Sequence, residues 1–589
     1  MQVSTSILHW VGPYLINFLQ LKLTRKGDCS ASKYNIPAVN KQLSNTRSSE
    51  TFQFIEECLE ECCKTHDCAQ GALALPIEEF EKNSTQSSTE YPTRLIEVSP
   101  SSEPHLESTD VRLVDIESRC PRYMTLSHCW GEGLADESKT LCSNLSERKS
   151  RISLHSLSPT FRDAVEIARR VGVRYIWIDA LCIIQDSLSD WATESTKMGD
   201  IYKNSYLTIA ASISGNSSGG CFNQSSVFLG PIPQDPPNAL VQTEVSIGVT
   251  DSETSTLIIV YAGNGVKDPL LHSPLTPRGW VFQERVLSPR TVHFTPSQVF
   301  WECRKRYRRE DFVAPDMYEI SHPLAQIVRK EGLPGGQLEI IKHWYSYVIA
   351  WAYSPRRFTK IEDRLIALSG IARIYADYLK DEYVAGLWKS HMAYGLTWKP
   401  AYTHPQDQTP IPIDQRRRPT WSWTTNENEI SWGSSKSEQH PDFSLLKTEL
   451  QYIGQNPTQY NPVSAGTITV KGLCTDIHVY KPEDIDHRQF SNMRVGGYRG
   501  YFRDDYPSHR LRPGHETPLD FTAKAIITLI EEGWHGPDIF KLLVFELDPQ
   551  DKRGQRYLRV GFVDVRVERK EEKRREFESY FVLETLCLA

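Results

Sequence analysis

The sequence contains, at residues 123–131, the stretch YMTLSHCWG, an apolar run that becomes polar at its end. Two further runs of the same kind follow it, RYIWID at residues 174–179 and YLTIAAS at residues 206–212. Each run has the length of a buried β-strand, and the residues between the runs have helical spacing. Strands that alternate with helices indicate parallel pairing through crossover connections. The three runs therefore predict the parallel sheet of an α/β domain.

Helical patterns fill both gaps between the three runs. Pro159 and Thr160 open the first helix, with Thr160 as its predicted N-cap, and Gly172 ends it. Asp190 is the predicted N-cap of the second helix. In a parallel sheet, ligands bind outside the carboxyl ends of the strands. The following residues come at or just after the ends of the three runs and are therefore expected along this edge of the sheet: Ser127, His128, Asp179, Cys182, Gln185 and Ser212.

The composition is that of a folded protein with several domains. A chain of 589 residues with 39% hydrophobic content predicts roughly two to four domains with buried cores. The net charge of -7 is mild and argues against a dedicated nucleic-acid-binding protein. Thirteen cysteines without a framework spacing are typical of a reduced intracellular protein. With no long apolar run and no signal-peptide pattern, we expect a cytoplasmic protein that does not bind membranes.

Pattern and composition divide the chain into four regions. Residues 1–89 form an N-terminal region with a short helix and a linker, and residues 90–310 carry the α/β domain. Residues 311–410 have helical spacing, best developed in IEDRLIALSGIARIYADY at 361–378. Residues 411–589 are predicted to be β-rich, because apolar and polar residues alternate beyond Gly466, as in the segments 467–470, 542–547 and 557–567.

A cysteine-rich segment lies at the end of the N-terminal helix. It contains residue types that bind zinc: Cys58, Cys62, Cys63, His66 and Cys68. A zinc finger would need a second pair of ligands at a short distance along the chain, and none is present. The prediction is therefore a buried helix end and no metal site.

Several ordered motifs resemble those of the fungal heterokaryon incompatibility (HET) domain. They are LSHCWG at 126–131, WIDALCIIQD at 177–186, and RGW at 278–280 followed by QER at 283–285. The resemblance extends over residues 90–310, although His128 stands where the family usually has tyrosine. It implies an effector of heterokaryon (vegetative) incompatibility, a form of non-self recognition that ends in programmed cell death in fungi.

The HET domain is thought to be distantly similar to TIR domains, which implies a flavodoxin- or TIR-like parallel sheet. Some TIR domains hydrolyse NAD, so the resemblance implies NAD as a possible substrate, with no bound cofactor. Glu194 lies on a helical face with Trp191, Met198 and Tyr202, where loss of water should raise its pKa, as in many catalytic acids. Trp191 and Glu194 also loosely match the tryptophan and catalytic glutamate of NAD-cleaving TIR domains, and Glu194 is the candidate catalytic residue.

Four strand-end residues are candidates for binding a ligand. Asp179 could accept a hydrogen bond from a ribose hydroxyl, and Trp130 offers a surface for stacking a base or nicotinamide. Ser127 and Gln185 lie at the same predicted edge. A single carboxylate suffices to stabilise the oxocarbenium-like transition state of nicotinamide–ribose cleavage.

Two other classes of function stay open. Cys182 could be a nucleophile with His128 as base and Asp179 as orienting group, but its apolar neighbours favour a packing role for it and for Cys129. Alternatively, the domain is no enzyme and acts by self-association or by binding an incompatibility partner protein. The sequence also leaves open whether Glu284 and its neighbour Arg285 reach the strand-end site or pair at the surface.

Overall fold

The structure, a computed structural model, describes most but not all of the 589 residues. It describes residues 19–25, 45–66, 68, 91–98, 110–117, 120–131, 133–223, 241–245, 258–264, 270, 273–296, 298–310, 336–401, 419–433, 437–453, 457–480, 491–505, 521–533 and 536–589. These residues form two compact units, Met1–Pro277 with Gln283–Glu331, and Arg278–Phe282 with Gly332–Ala589. The predicted helical and β-rich regions thus fall largely in one unit.

The first unit contains twelve named strands and most of six helices. The strands are β1 (Leu19–Arg25), β2 (Arg94–Glu97), β3 (Asp110–Asp115), β4 (Tyr123–Ser127), β5 (Ile152–Ser153), β6 (Tyr175–Trp177), β7 (Leu207–Ala210), β8 (Val241–Val245), β9 (Ile258–Asn264), β10 (Arg290–Phe294), β11 (Val299–Cys303) and β12 (Tyr307–Arg309). The helices are α1 (Ser49–Thr65), α2 (Leu145–Ser150), α3 (Pro159–Arg170), α4 (Asp179–Cys182), α5 (Leu188–Lys203) and α6 (Val281–Leu287), with 3₁₀ turns at Asp136–Ser138 and Leu154–Ser156.

Nine of these strands form one mixed sheet in the order β12-β11-β10-β7-β4-β6-β2-β3-β5. The four central strands, β10, β7, β4 and β6, are parallel to their neighbours within this group. The α/β class is therefore confirmed, but the sheet is not wholly parallel as predicted. Both flanks are antiparallel, and β10 and β11 are joined by a tight turn that only an antiparallel pair can use. A separate antiparallel sheet has the order β1-β9-β8.

The crossover helices form where predicted, with different N-caps. The N-cap of helix α3 is Ser158, two positions before the predicted cap Thr160, and Pro159 is the first helical residue because proline fits the first helical turn. Gly172 follows the helix with φ +77°, which glycine adopts without strain. Helix α5 begins after Ser187, whose hydroxyl accepts a hydrogen bond from the backbone N–H of Asp190.

The second unit combines short helices with a β-structure. Its strands are β13 (Tyr383–Val384), β14 (Leu387–Trp388), β15 (Lys399–Pro400), β16 (Ile430–Ser431), β17 (Ser437–Gln439), β18 (Ser444–Tyr452), β19 (Val463–Tyr480), β20 (Ser491–Val495), β21 (Tyr498–Asp504), β22 (Phe521–Glu531), β23 (Asp538–Leu547), β24 (Arg556–Val567) and β25 (Val582–Leu588). Its helices are α7 (Gln337–Lys342), a π-helix (His343–Tyr353), α8 (Asp363–Ile366), α9 (Ser369–Leu379), α10 (Met392–Gly395) and α11 (Glu571–Glu578), with 3₁₀ turns at Lys389–His391 and Trp423–Thr425.

Six strands of the second unit close into a barrel. Each of β19, β22, β23, β24, β21 and β20 pairs with the next, and β20 pairs back to β19. The predicted β-rich region is thus confirmed. Inward-facing apolar residues fill the core, and Phe577 of α11 packs into it. Among the described residues, no helix combines the length and the apolar character needed to cross a bilayer.

Candidate functional site

The carboxyl ends of the central parallel strands meet at one edge of the mixed sheet. Ser127 is the last residue of β4, Asp179 follows β6 by two residues, and Ser212 follows β7 by two residues. The register pairs Ser127 with Ala210, and the N–H of Ala211 donates to the carbonyl of Ser127. The structure therefore brings the predicted strand ends together, and we refer to this edge as the strand-end site.

Two protein donors orient the carboxylate of Asp179 at the strand-end site. The indole Nε1 of Trp130 donates to Asp179 Oδ2 over 2.9 Å, and the backbone N–H of Ala180 donates to Oδ1 over 2.7 Å. His128 Nδ1 lies 3.8 Å from Asp179 Oδ1, too far for a hydrogen bond but close enough for a charge interaction if the ring is protonated. The Asp179 side chain is 24% exposed. Its carboxylate is thus held in one orientation and still open to solvent.

The imidazole of His128 is buried behind this carboxylate. Its ring packs edge-on against the ring of Phe161 in helix α3, with 5.0 Å between ring centroids. A buried imidazole next to one carboxylate can serve as an orienting group for it. The structure therefore places His128 behind Asp179 and against the crossover helix.

Ser127 contacts a carboxylate from a distant part of the sequence. Its Oγ donates to Glu284 Oε2 over 2.5 Å, and both side chains are buried. Glu284 belongs to helix α6, and Ser288 Oγ donates to its carbonyl one turn later. The question that the sequence left open is thus answered for Glu284, which reaches the end of β4.

Arg285 forms a different contact on the same sheet. Its guanidinium donates two hydrogen bonds to Glu302 of β11, over 2.8 and 3.2 Å, and His293 Nε2 lies 2.9 Å from the same carboxylate. Burial alone would raise the pKa of Glu302, but the charges and hydrogen bonds of Arg285 and His293 outweigh it and hold that pKa well below its ordinary value. His293 Nδ1 lies 3.4 Å from Ser212 Oγ, which links this buried network to the end of β7.

Gln185 shapes the loop that follows Asp179. Its side-chain amide donates to the carbonyls of Asp179 and Ile183 over 2.9 and 3.0 Å, and its backbone N–H donates to the carbonyl of Thr140. The amide group therefore folds the loop back on the first turn of α4. Of the four predicted ligand residues, Trp130 and Asp179 are in direct contact, while Ser127 and Gln185 each contact other groups at the same edge.

Glu194, the predicted catalytic residue, is fully buried on helix α5. Its carboxylate accepts hydrogen bonds from the N–H and the hydroxyl of Thr93 and lies 3.2 Å from Lys197 Nζ. Thr93 immediately precedes β2, an antiparallel neighbour of β6. Glu194 thus ties helix α5 to the flank of the sheet, away from the contacts that Asp179 makes. Its catalytic role stays a prediction.

The two cysteines near the strand-end site are buried. Burial raises the pKa of the Cys182 thiol to about 12, as its apolar neighbours predict. The Cys129 thiol donates weakly to the carbonyl of Pro274 over 3.5 Å. Both cysteines therefore have the surroundings of packing residues. The Cys182 thiol, with its raised pKa, is a poor nucleophile at neutral pH.

Glu302 was missed as a site residue and the position of Glu284 was left open, because both residues follow Ser127 by more than 150 positions. A signal existed for Glu284, which lies in the motif QER at 283–285. No sequence signal identified Glu302, since its partners Arg285 and His293 come from another helix and another strand.

Comparison with known proteins identifies one segment of this chain. No curated protein and no solved structure matches the chain. The matching segment begins at the first residue of β4 and ends at Glu284, so it includes the predicted residues Ser127, Trp130, Asp179, Gln185 and Glu194. Residues 123–284 match the model of the family described as Heterokaryon incompatibility protein (HET), which confirms the resemblance over this segment.

Proposed function

We propose that this protein is an effector of heterokaryon incompatibility whose HET segment triggers cell death by cleaving NAD at the strand-end site. The match of residues 123–284 to the HET family supports the role in incompatibility. The observation that supports the chemistry is the Asp179 carboxylate, which is fixed by Trp130 and still 24% exposed. Ligands of open α/β sheets bind at this edge, outside the carboxyl ends of parallel strands.

The proposed reaction is hydrolysis of the nicotinamide–ribose bond. Water adds to the ribose carbon, nicotinamide leaves with the electron pair of the broken C–N bond, and the proton of the water passes to solvent. The products are ADP-ribose, nicotinamide and one proton. A carboxylate stabilises the positive charge that develops on the ribose, and no metal is required. The part-exposed ring of Trp130 offers a stacking surface beside Asp179.

Two carboxylates of the segment are candidates for this role, and their contacts differ. Glu194 is buried and already accepts hydrogen bonds from Thr93 and Lys197. Asp179 keeps part of its surface open at the strand-end site. The contacts therefore favour Asp179 as the group that touches the substrate and Glu194 as a residue that positions helix α5.

The second candidate function is a non-enzymatic module that acts by self-association or by binding a partner protein. The burial of Glu194 favours it, because a carboxylate that is fully buried and bonded to Thr93 is poorly placed to meet a substrate.

The experiment compares the purified full-length chain with two variants at high protein concentration. Asp179→Asn preserves shape and removes the charge at the strand-end site. Asp110→Asn is the matched control, because Asp110 has nearly the same side-chain exposure, 23%, and begins β3 at the opposite edge of the sheet. Nicotinamide release is measured by chromatography, association by size exclusion, and toxicity by expression in a fungal host.

The proposal expects nicotinamide release from the wild type and from Asp110→Asn, and little release from Asp179→Asn. All three proteins should elute alike in size exclusion. Absence of release from concentrated wild-type protein, together with toxicity that tracks assembly size, would contradict NAD cleavage and favour the non-enzymatic module. Undiminished toxicity of Asp179→Asn would contradict the role of Asp179, and a wild-type protein that is not toxic on expression would contradict the effector role.

A further inference from the structure

Three cysteines and one histidine come together at the edge of the mixed sheet opposite the strand-end site. Cys62 and His66 lie at the end of helix α1, Cys68 follows, and Cys303 is the last residue of β11. Cys303 pairs with Arg290, the first residue of β10, which places the cluster at the amino end of that parallel strand. The four possible ligand atoms all lie within 4.8 Å of one another.

We propose that Cys62, His66, Cys68 and Cys303 bind a structural zinc ion. Three sulfur ligands and one imidazole nitrogen are an established ligand set for four-coordinate zinc. Zinc–sulfur bonds of about 2.3 Å in tetrahedral geometry separate the ligand atoms by about 3.8 Å, so the observed spacing needs only a small contraction. His66 Nδ1 and Cys303 Sγ are already 3.5 Å apart.

The surroundings of the cluster provide donors to the sulfur atoms. Arg290 Nε donates to Cys62 Sγ over 3.2 Å, and the backbone N–H of Arg306 donates to Cys303 Sγ over 3.3 Å. Such donors orient thiolate ligands and are a recurrent feature around metal centres. Arg304 Nη1 donates to the carbonyl of Cys68 over 2.7 Å and so fixes this ligand as well.

The charge of the site also fits bound zinc. Three thiolates, one neutral imidazole and one divalent ion carry a net charge of about −1, and a buried charge of this kind needs a partner. Arg290 is 1% exposed, and its guanidinium contacts Cys62 directly. It supplies the compensating positive charge. All four positions are filled by protein side chains, so the proposed site is structural and leaves no position for a substrate.

The zinc would join helix α1 to the hairpin of β11 and β12. The other end of the helix is already attached to this hairpin region, because Thr51 Oγ1 donates to Glu310 Oε1 over 2.6 Å. At the end that carries Cys62, Arg308 forms an ion pair of 2.8 Å with the adjacent Glu61. Zinc at the cysteine cluster would fix the helix end that carries Cys62, so metal binding contributes directly to the stability of this unit.

The sequence predicted no metal here because the fourth ligand is remote. Cys303 lies 237 positions beyond His66, far outside any finger-like spacing. A disulfide between two of the cysteines is the competing arrangement, and the test must distinguish it from a metal site.

The experiment measures metal in the full-length protein purified under reducing conditions from zinc-supplemented medium. We expect about one zinc ion per chain by mass spectrometry of the metal. Replacement by cobalt should give the visible absorption and the thiolate charge-transfer band of a tetrahedral cobalt–thiolate centre. Cys303→Ser should lose zinc. Cys63→Ser is the matched control, because this residue is adjacent to Cys62 and outside the set of four, and it should retain zinc.

Three results would overturn the proposal. The first is metal-free wild-type protein that does not take up zinc or cobalt. The second is an oxidised cysteine pair within the cluster in that metal-free protein. The third is full zinc content in Cys303→Ser. If Cys303→Ser does not fold, the cobalt spectrum of the wild type decides the question, since only thiolate ligation gives the charge-transfer band.

Discussion

Replacing Glu194 with glutamine tests whether this carboxylate holds the structure or performs chemistry. One oxygen, Oε1, accepts from the hydroxyl of Thr93 and lies 3.2 Å from Lys197 Nζ, and the other, Oε2, accepts from the N–H of Thr93 over 3.2 Å. Glutamine has one oxygen and one NH₂ group, so one of these positions will present a donor to a donor. In the better orientation the amide keeps the Oε1 contacts and loses the bond from the Thr93 N–H.

The expected loss of unfolding free energy comes mainly from the lost hydrogen bond of the Thr93 N–H. A hydrogen bond to a charged group contributes about 1.5–3 kcal/mol, and removal of one partner leaves a buried donor unpaired. Glutamine also removes the charge that attracts Lys197, but the amide oxygen still accepts from the Lys197 ammonium, which is 19% exposed, so this change adds only about 1 kcal/mol. We therefore expect Glu194→Gln to lower the free energy of unfolding by about 2–4 kcal/mol.

Denaturant unfolding of four proteins measures this effect: the wild type, Glu194→Gln, Thr93→Val and the double variant. If Glu194 and Thr93 stabilise the fold as a pair, the cycle gives a coupling of about 0.5–3 kcal/mol. Glu147→Gln is the control, because Glu147 is exposed on helix α2 and should change stability by less than about 0.5 kcal/mol. Any loss of toxicity in Glu194→Gln should be no larger than the loss of folded protein that its lower stability causes. A Glu194→Gln protein as stable as the wild type but no longer toxic would refute the structural role and restore the catalytic one.

Three further predictions follow from buried groups. Cys182, with a pKa of about 12, should resist iodoacetamide at neutral pH while the exposed Cys142 reacts, and Cys182→Ala should retain toxicity. Asp505→Ala should lower the unfolding free energy by about 3–5 kcal/mol, because Arg559, 0% exposed like its partner, loses the carboxylate it contacts over 2.8 Å. Glu302, whose folded pKa lies below its ordinary 4.5, should stabilise the protein fully above that value. This stability should be lost as pH falls towards the lower folded pKa, and Glu302→Gln should flatten that slope in denaturant midpoints measured against pH.

Local pattern was a sufficient guide to the central strands. The apolar runs at 123–131, 174–179 and 206–212 became β4, β6 and β7, because a strand buried on both faces must be apolar throughout. The helix after Pro159 and the alternating segments at 542–547 and 557–567 were also found, since periodicity depends on neighbours in sequence.

The N-caps and the sheet flanks were less predictable. Thr160 and Asp190 have the right chemistry for caps, but the cap positions are occupied by Ser158 and Ser187, which lie two and three residues earlier. The antiparallel pairing of β2 and of β11 depends on which edge of the sheet each strand reaches. The residues of a strand of four or five positions do not specify the strand with which it pairs.

The sequence by itself determined the α/β class, the HET resemblance and the strand ends that carry Ser127 and Asp179, because these depend on short apolar runs and ordered motifs. Tertiary structure alone decided which side chains from distant parts of the sequence come into contact. It placed Glu284 against Ser127, and Cys303 beside the cysteines of helix α1. It also decided that Glu194 bonds to Thr93 at the sheet flank. The physical reason is that side-chain contacts act over a few ångströms in space, whereas sequence patterns report only positions within a few turns of the chain.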